Sequence, residues 1–100
     1  MRLQQIKSKF RCLKVWHVTL APKNSKYHAC VTIHPTKPQA IVYRWEIESA
    51  EPEDFKLHEI LHVAFEAIRR LPKNNRREAE ELLIQDICSL LVNNINREKC

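Results

Sequence analysis

Apolar and polar residues alternate along the first half of this chain and then switch to a helical recurrence. Leu13 to Leu20 is rich in β-formers and ends at Ala21-Pro22, ahead of the polar turn Lys23-Asn24-Ser25-Lys26, which predicts a first strand and its exit. Tyr27, Ala29, Val31 and Ile33 alternate with His28, Cys30, Thr32 and His34, the period of a half-buried second strand stopped by Pro35. After Pro38, Ile41, Tyr43, Trp45 and Ile47 form one apolar face against Val42, Arg44 and Glu46 in a third strand. Short polar connections predict that these strands, within about 13–47, form an antiparallel meander.

The period then lengthens from that of a strand to that of a helix. Ser49 is a candidate N-cap, Pro52 suits a first turn, and Glu51, Glu53 and Asp54 place negative charge at the positive end of the helix dipole. Leu57, Leu61, Ala64, Phe65 and Ile68 recur at helical spacing until Leu71-Pro72 ends a helix of about 50–71. Lys73 to Arg77 reads as a basic loop, and Asn75 with Glu78 resembles a capping arrangement for a second helix over about 76–94. Ile84, Ile87, Cys88, Leu91 and Ile95 mark its expected buried face, widened by Leu83, Leu90 and Val92. The 100 residues, 1–100, thus read as a single α+β domain, a three-stranded antiparallel sheet followed by two packed helices.

In the middle of the first of these helices stands His58-Glu59-Ile60-Leu61-His62, an H-E-x-x-H motif. Positions i and i+4 lie one turn apart on the same face, so two imidazoles can grip one zinc ion while the intervening Glu addresses the water beside it. The two His flank the apolar stripe, which predicts a metal face turned partly inward. A zinc hydrolase takes three protein ligands and leaves one position open. An acidic residue in the opening turns of the next helix suits the third: Glu81, in line with Ile84 and Cys88, or Glu80, about 100° away around the axis.

This arrangement resembles the small zincin-like metallopeptidases, in particular the compact H-E-x-x-H proteins of phage and bacterial genomes. The resemblance covers Trp16 to Leu91 and rests on His58-Glu59-Ile60-Leu61-His62 followed by Glu81-Leu82-Leu83-Ile84. It implies a minimal zincin-like fold, His58, His62 and Glu81 as ligands of one Zn2+ per chain with Glu80 as the alternative, Glu59 as general base and acid, and a protein or peptide substrate. Physical reasoning assigns Glu59 the same role, since a carboxylate beside a metal-activated water accepts its proton and later returns one to the leaving amine. Val63-Ala64-Phe65 lacks the Gly and third His of metzincins, and the only Met is Met1, so that subclass is excluded. His17, Tyr43 and Arg44 are the candidates for stabilising an oxyanion.

Net charge is +5, and it is clustered. Arg2, Lys7, Lys9, Arg11 and Lys14 have no acid among them, and neither do Arg69, Arg70, Lys73, Arg76 and Arg77. Both clusters suit nucleic acid or an acidic partner surface. A second function class follows, a nucleic-acid- or protein-binding module without catalytic activity in which zinc is structural. No segment approaches the roughly 18 apolar residues of a membrane span, and no apolar run of signal-peptide length is present, so the expectation is a cytoplasmic protein without membrane contact.

The 4 cysteines form no C-x-x-C pair and are expected as free thiols, Cys88 in the core and Cys100 exposed. His28, Cys30 and His34 share one strand face, but His28 and His34 lie about 20 Å apart, too far for one ion. Trp16, Trp45, Tyr27 and Tyr43 are expected to pack the sheet rather than stack on bases.

Overall fold

Leu3, Ile6 and Phe10 recur at helical spacing, and they anchor an N-terminal helix, α1 (Leu3–Ser8), that the alternation farther along gives no hint of. The computed structural model describes residues 2–23, 31–45 and 48–99. Gln5 Oε1 accepts the Arg2 backbone N–H at 2.9 Å, closing the start of α1, and its apolar side packs into the core. A 3₁₀ turn (Arg11–Leu13) follows, so the expected strand start at Leu13 is a helical turn instead, with Leu13 fully buried.

Strands β1 (His17–Ala21), β2 (Val31–Ile33) and β3 (Gln39–Tyr43) form one sheet in the order β1-β3-β2. β2 and β3 pair antiparallel, but β1 pairs with β3 in parallel, Val18 opposite Ala40 and Leu20 opposite Val42. The antiparallel meander expected from the sequence is therefore corrected to a mixed sheet. The reason lies in which strand can be central. β2 is short and half-buried, whereas β3 carries Ala40 and Val42, both inaccessible, and takes the middle. Its hairpin partner β2 occupies one edge and β1 is left the other. The hairpin itself is fixed by His34, whose Nδ1 accepts the backbone N–H of Thr36 at 3.1 Å and of Lys37 at 2.9 Å.

The register of faces is also corrected. Ala40 and Val42 face the helices, while Ile41 is 38% exposed on the opposite side. The face expected from Ile41, Tyr43 and Trp45 is one residue out of step, which exchanges the two sides of a strand. Small Ala40 permits close approach of the following helix, which packs on β2 and β3.

That helix, α2 (Phe55–Arg69), begins after Asp54 rather than Ser49. Pro52 disfavours helical geometry at Glu51, so residues Glu48–Ala50 form a separate 3₁₀ turn. Helix α3 (Lys73–Lys99) starts directly after Pro72, whose carbonyl accepts the N–H groups of Asn75 at 2.9 Å and Arg76 at 3.2 Å, so Asn75 lies inside the helix rather than capping it. Ala79, Leu83, Ile87 and Leu90 are its packed line. Ile84 is 53% exposed and Cys88 and Leu91 are exposed too, so the buried face is rotated by about 100°, one residue, from the expected one.

The rotation goes with a contact across the fold. Arg11 binds Asp86 at 3.0 Å and donates to the Leu82 carbonyl at 3.4 Å, turning the Leu82 and Asp86 side of α3 onto the 3₁₀ turn. Cys88 is thus a surface thiol, while Cys12 is half-buried and its thiol is pushed up by that burial. Cys30, Cys100, Tyr27 and His28 lie outside the described residues. Among the described residues no helix is long and apolar enough to cross a membrane.

Candidate metal centre

The buried line of α2 runs Phe55, Glu59, Ile60, Val63, Ala64, Ala67 and Ile68. One position in it is charged: Glu59, 8% exposed, is the buried charged residue in an otherwise apolar stripe. His58 and His62 are on the outward side together with Phe65, which is 60% exposed. The expectation of a metal face turned partly inward, with Phe65 in the core, is therefore corrected: the imidazoles face solvent, and Glu59 is buried beside His58. Of the expected line, Ala64 and Ile68 are buried and Leu57 and Leu61 pack against the core at its edge, so Phe65 is the misplaced member.

Two atoms define the centre. His58 Nε2 and His62 Nε2 are 3.2 Å apart, with ring centroids 4.9 Å apart and ring planes at 72°. Two nitrogen ligands at about 2.0–2.1 Å in tetrahedral geometry stand about 3.3 Å from each other, so the pair already has the bite that zinc takes. In the absence of metal the same contact is a hydrogen bond when one ring carries its proton on Nε2. An exposed pair at this separation, one helical turn apart, fits a divalent soft-to-borderline ion.

Beside it, a pocket of about 200 Å³ is lined by Trp45, Pro52, Asp54, Phe55, His58 and Glu59. Among the described residues Glu59 has no ion-pair or hydrogen-bond partner, yet no buried side-chain oxygen or nitrogen is left enclosed without one. Its carboxylate is therefore addressed to the pocket. The body of Glu59 is thus buried in the apolar stripe while its oxygens open on the pocket beside His58.

The far wall of the pocket is held by Glu51. Its carboxylate receives the Arg44 side chain at 3.2 and 3.3 Å and the Trp45 backbone N–H at 3.1 Å. The hydrogen bond from Arg44 holds the Glu51 carboxyl below the usual carboxylate range against the opposing effect of burial, and the Trp45 N–H adds to it. Arg44, a candidate oxyanion stabiliser, is thus engaged in positioning Trp45.

A carboxyl whose folded pKa is depressed contributes stability above its unfolded pKa and loses that contribution as pH falls through the folded value. Glu51→Gln is accordingly expected to be less stable than wild type at pH 7. The two proteins should converge in acid, below the ordinary Glu value of about 4.3. Urea unfolding between pH 3 and 7 measures this, and a constant difference across the range would show that the charge is not responsible.

The remaining sequence-predicted residues are not gathered here. Glu80 and Glu81 are both exposed on α3, and among the described residues no third His, Cys, Asp or Glu joins His58 and His62 in a group able to hold a metal. Relative to the packed line of α3, Glu81 falls on the outward side with Ile84 and Cys88, whereas Glu80 lies near the line of Ile87, about 20° away around the axis. The sequence signal that would have shown this is Arg11 with Asp86, distant in the chain and invisible to periodicity.

Arg69, Arg70 and Arg76 are largely structural. Arg69 and Arg70 pair with Glu66, holding its carboxyl below the usual range through the Arg69 hydrogen bond first. Arg70 also donates to the carbonyls of His34 and Lys37 and lies 4.9 Å over the Trp16 ring, joining the end of α2 to the β2–β3 hairpin. Arg76 donates to the carbonyls of Leu71 and Arg69, each at 2.9 Å, which closes the α2–α3 link. Lys73 and Arg77 are exposed. No family model matches this chain, and comparison with curated proteins and with solved structures gives no match either.

Proposed function

We propose that this protein is a small zincin-like, zinc-dependent metallopeptidase. The observation that carries the reading is the conjunction on α2 of two Nε2 atoms 3.2 Å apart with a buried, unpartnered carboxylate on the adjoining pocket. His58 and His62 hold the ion. Glu80 and Glu81 are the acidic residues proposed for the third position, and Glu80 lies closer to the packed side of α3. When bound, zinc supplies Lewis-acid polarisation of a carbonyl and acidifies a water.

The protein's own groups do the rest. Glu59, at the pocket, accepts the proton of the attacking water and delivers a proton to the departing amine. The apolar walls Phe55, Pro52 and Trp45 limit the water around that carboxylate, which strengthens its electrostatic interaction with the reacting groups. An extended peptide has two sheet edges available for strand addition, β1 and β2.

Metal analysis of the purified chain tests the proposal. One zinc per chain is expected in wild type, and none in His58→Ala or His62→Ala. Glu80→Ala and Glu81→Ala, measured in parallel, identify the third ligand by which of them loses the ion. Wild-type protein that takes up no zinc from a titration, or a His58→Ala variant that retains it, overturns the site.

A further inference from the structure

Where α1 ends, the chain turns through Lys9 and Phe10 into the 3₁₀ turn, and the turn leaves a groove of about 380 Å³ lined by Lys7, Ser8, Phe10, Arg11, Leu13 and Lys14. Among the described residues no acidic one lines it. Arg11 is committed to Asp86, which fixes that wall and cancels its charge, while Lys7 and Lys14 line the groove and exposed Lys9 stands at the turn that forms it. The carbonyls at the end of α1, which would repel an anion, are occupied by the backbone N–H groups of Lys9 and Phe10. We propose that this groove binds the phosphate backbone of a nucleic acid, independently of the metal centre.

Three lines favour that ligand class. Ammonium groups on flexible stems, with no buried charged side chain among them, do not build a cage for one small anion, but they do neutralise successive phosphates and release counterions. A membrane surface is disfavoured because an interfacial helix needs a free apolar face, and Leu3 and Ile6 of α1 are spent on the core. A protein partner needs an apolar anchor at the centre of its contact, and among the described residues the exposed apolar side chain beside the cluster, Val15 at 73%, follows Lys14 at its margin. There Val15 suits contact with a sugar or an unstacked base.

The basic segment 69–77 makes a useful contrast. Arg69, Arg70 and Arg76 are engaged by Glu66 and by backbone carbonyls, which leaves Lys73 and Arg77, whereas at the N-terminal turn Lys7, Lys9 and Lys14 stand together and Arg11 is engaged.

The test is fluorescence anisotropy of a labelled 20-nucleotide single-stranded DNA across 50 to 200 mM salt. Wild type is expected to bind, with affinity falling about 20-fold over that range if three phosphates are neutralised. Lys7→Gln/Lys9→Gln/Lys14→Gln should flatten the slope of log affinity against log salt by about 2, and Lys9→Gln/Lys14→Gln, which spares half-buried Lys7, by about 1.4. Lys37→Gln/Lys56→Gln removes the same charge as the double variant, outside both basic clusters, and should leave the slope near that of wild type. Equal effects of the two double variants, no binding at 50 mM salt, or capture by anionic lipid vesicles without binding of the oligonucleotide would each overturn the proposal.

Discussion

Glu59→Gln is expected to lower peptide hydrolysis by about 10²- to 10⁴-fold while leaving zinc content at the wild-type level. The amide has nearly the shape of the carboxylate, so it fills the same place between Phe55 and Val63 on the buried line of α2, but it cannot take a proton from water. His58 and His62 are untouched, and their Nε2 separation depends on the helix rather than on Glu59. A second readout distinguishes a catalytic carboxylate from a structural one. Because the Glu59 oxygens open on the pocket and the amide has nearly the same shape, the variant should melt close to wild type while its activity falls, whereas loss of a structural carboxylate would lower the melting temperature. Hydrolysis of a denatured protein substrate, zinc content and thermal melting measure the three quantities. Unchanged hydrolysis, or loss of zinc, would remove Glu59 from the role of base.

The same residue explains how much of the site was legible in the sequence. H-E-x-x-H could be read because both His act within one helical turn, and helical spacing is a local property. Which side of the helix they face is not local. Leu57 and Leu61 pack at the edge of the core that Ile60, Val63 and Ala67 fill, Phe65 is left outside it, and the centre of the buried face lies toward small Ala40 and buried Val42 of the sheet.

A similar ambiguity displaced α3. Ile84, Cys88 and Leu91 form as regular an apolar line as Ala79, Leu83 and Leu90, and the choice between the two lines coincides with Arg11 meeting Asp86 across the fold. The mixed sheet had no sequence signal at all, because the alternation of β1 is the same whether its neighbour runs parallel or antiparallel. Helix α1 was legible in principle, since Leu3, Ile6 and Phe10 have helical spacing, but it is short and interrupted by Lys7 and Lys9. Fold class and motif thus came from periodicity, and every misplaced face came from a contact between residues far apart in the chain.

Coupling between the helix core and the metal gives the second large effect. Ile60 is fully buried inside the motif, on the face opposite to the imidazoles. Truncating it leaves a cavity that the sheet beneath cannot collapse into without disturbing β3, so Ile60→Ala should cost about 2–5 kcal/mol and Ile60→Val about 0.5–1.5 kcal/mol. Against a domain stability of about 5–15 kcal/mol, the Ala variant loses a large fraction, and its melting temperature should drop by more than about 10 °C.

On the proposed site zinc would bind only the folded helix, whose two imidazoles are held one turn apart, and would restore stability by mass action, about 2.7 kcal/mol at a free concentration 100 times its dissociation constant. Ile60→Ala should therefore be rescued by added zinc, and Ile60→Ala/His58→Ala should not. Melting curves with and without zinc decide the matter. Equal rescue of both variants would mean that the ion stabilises the protein from somewhere other than His58. A cost below about 1 kcal/mol for Ile60→Ala would mean that α2 does not depend on the packing seen beneath the motif.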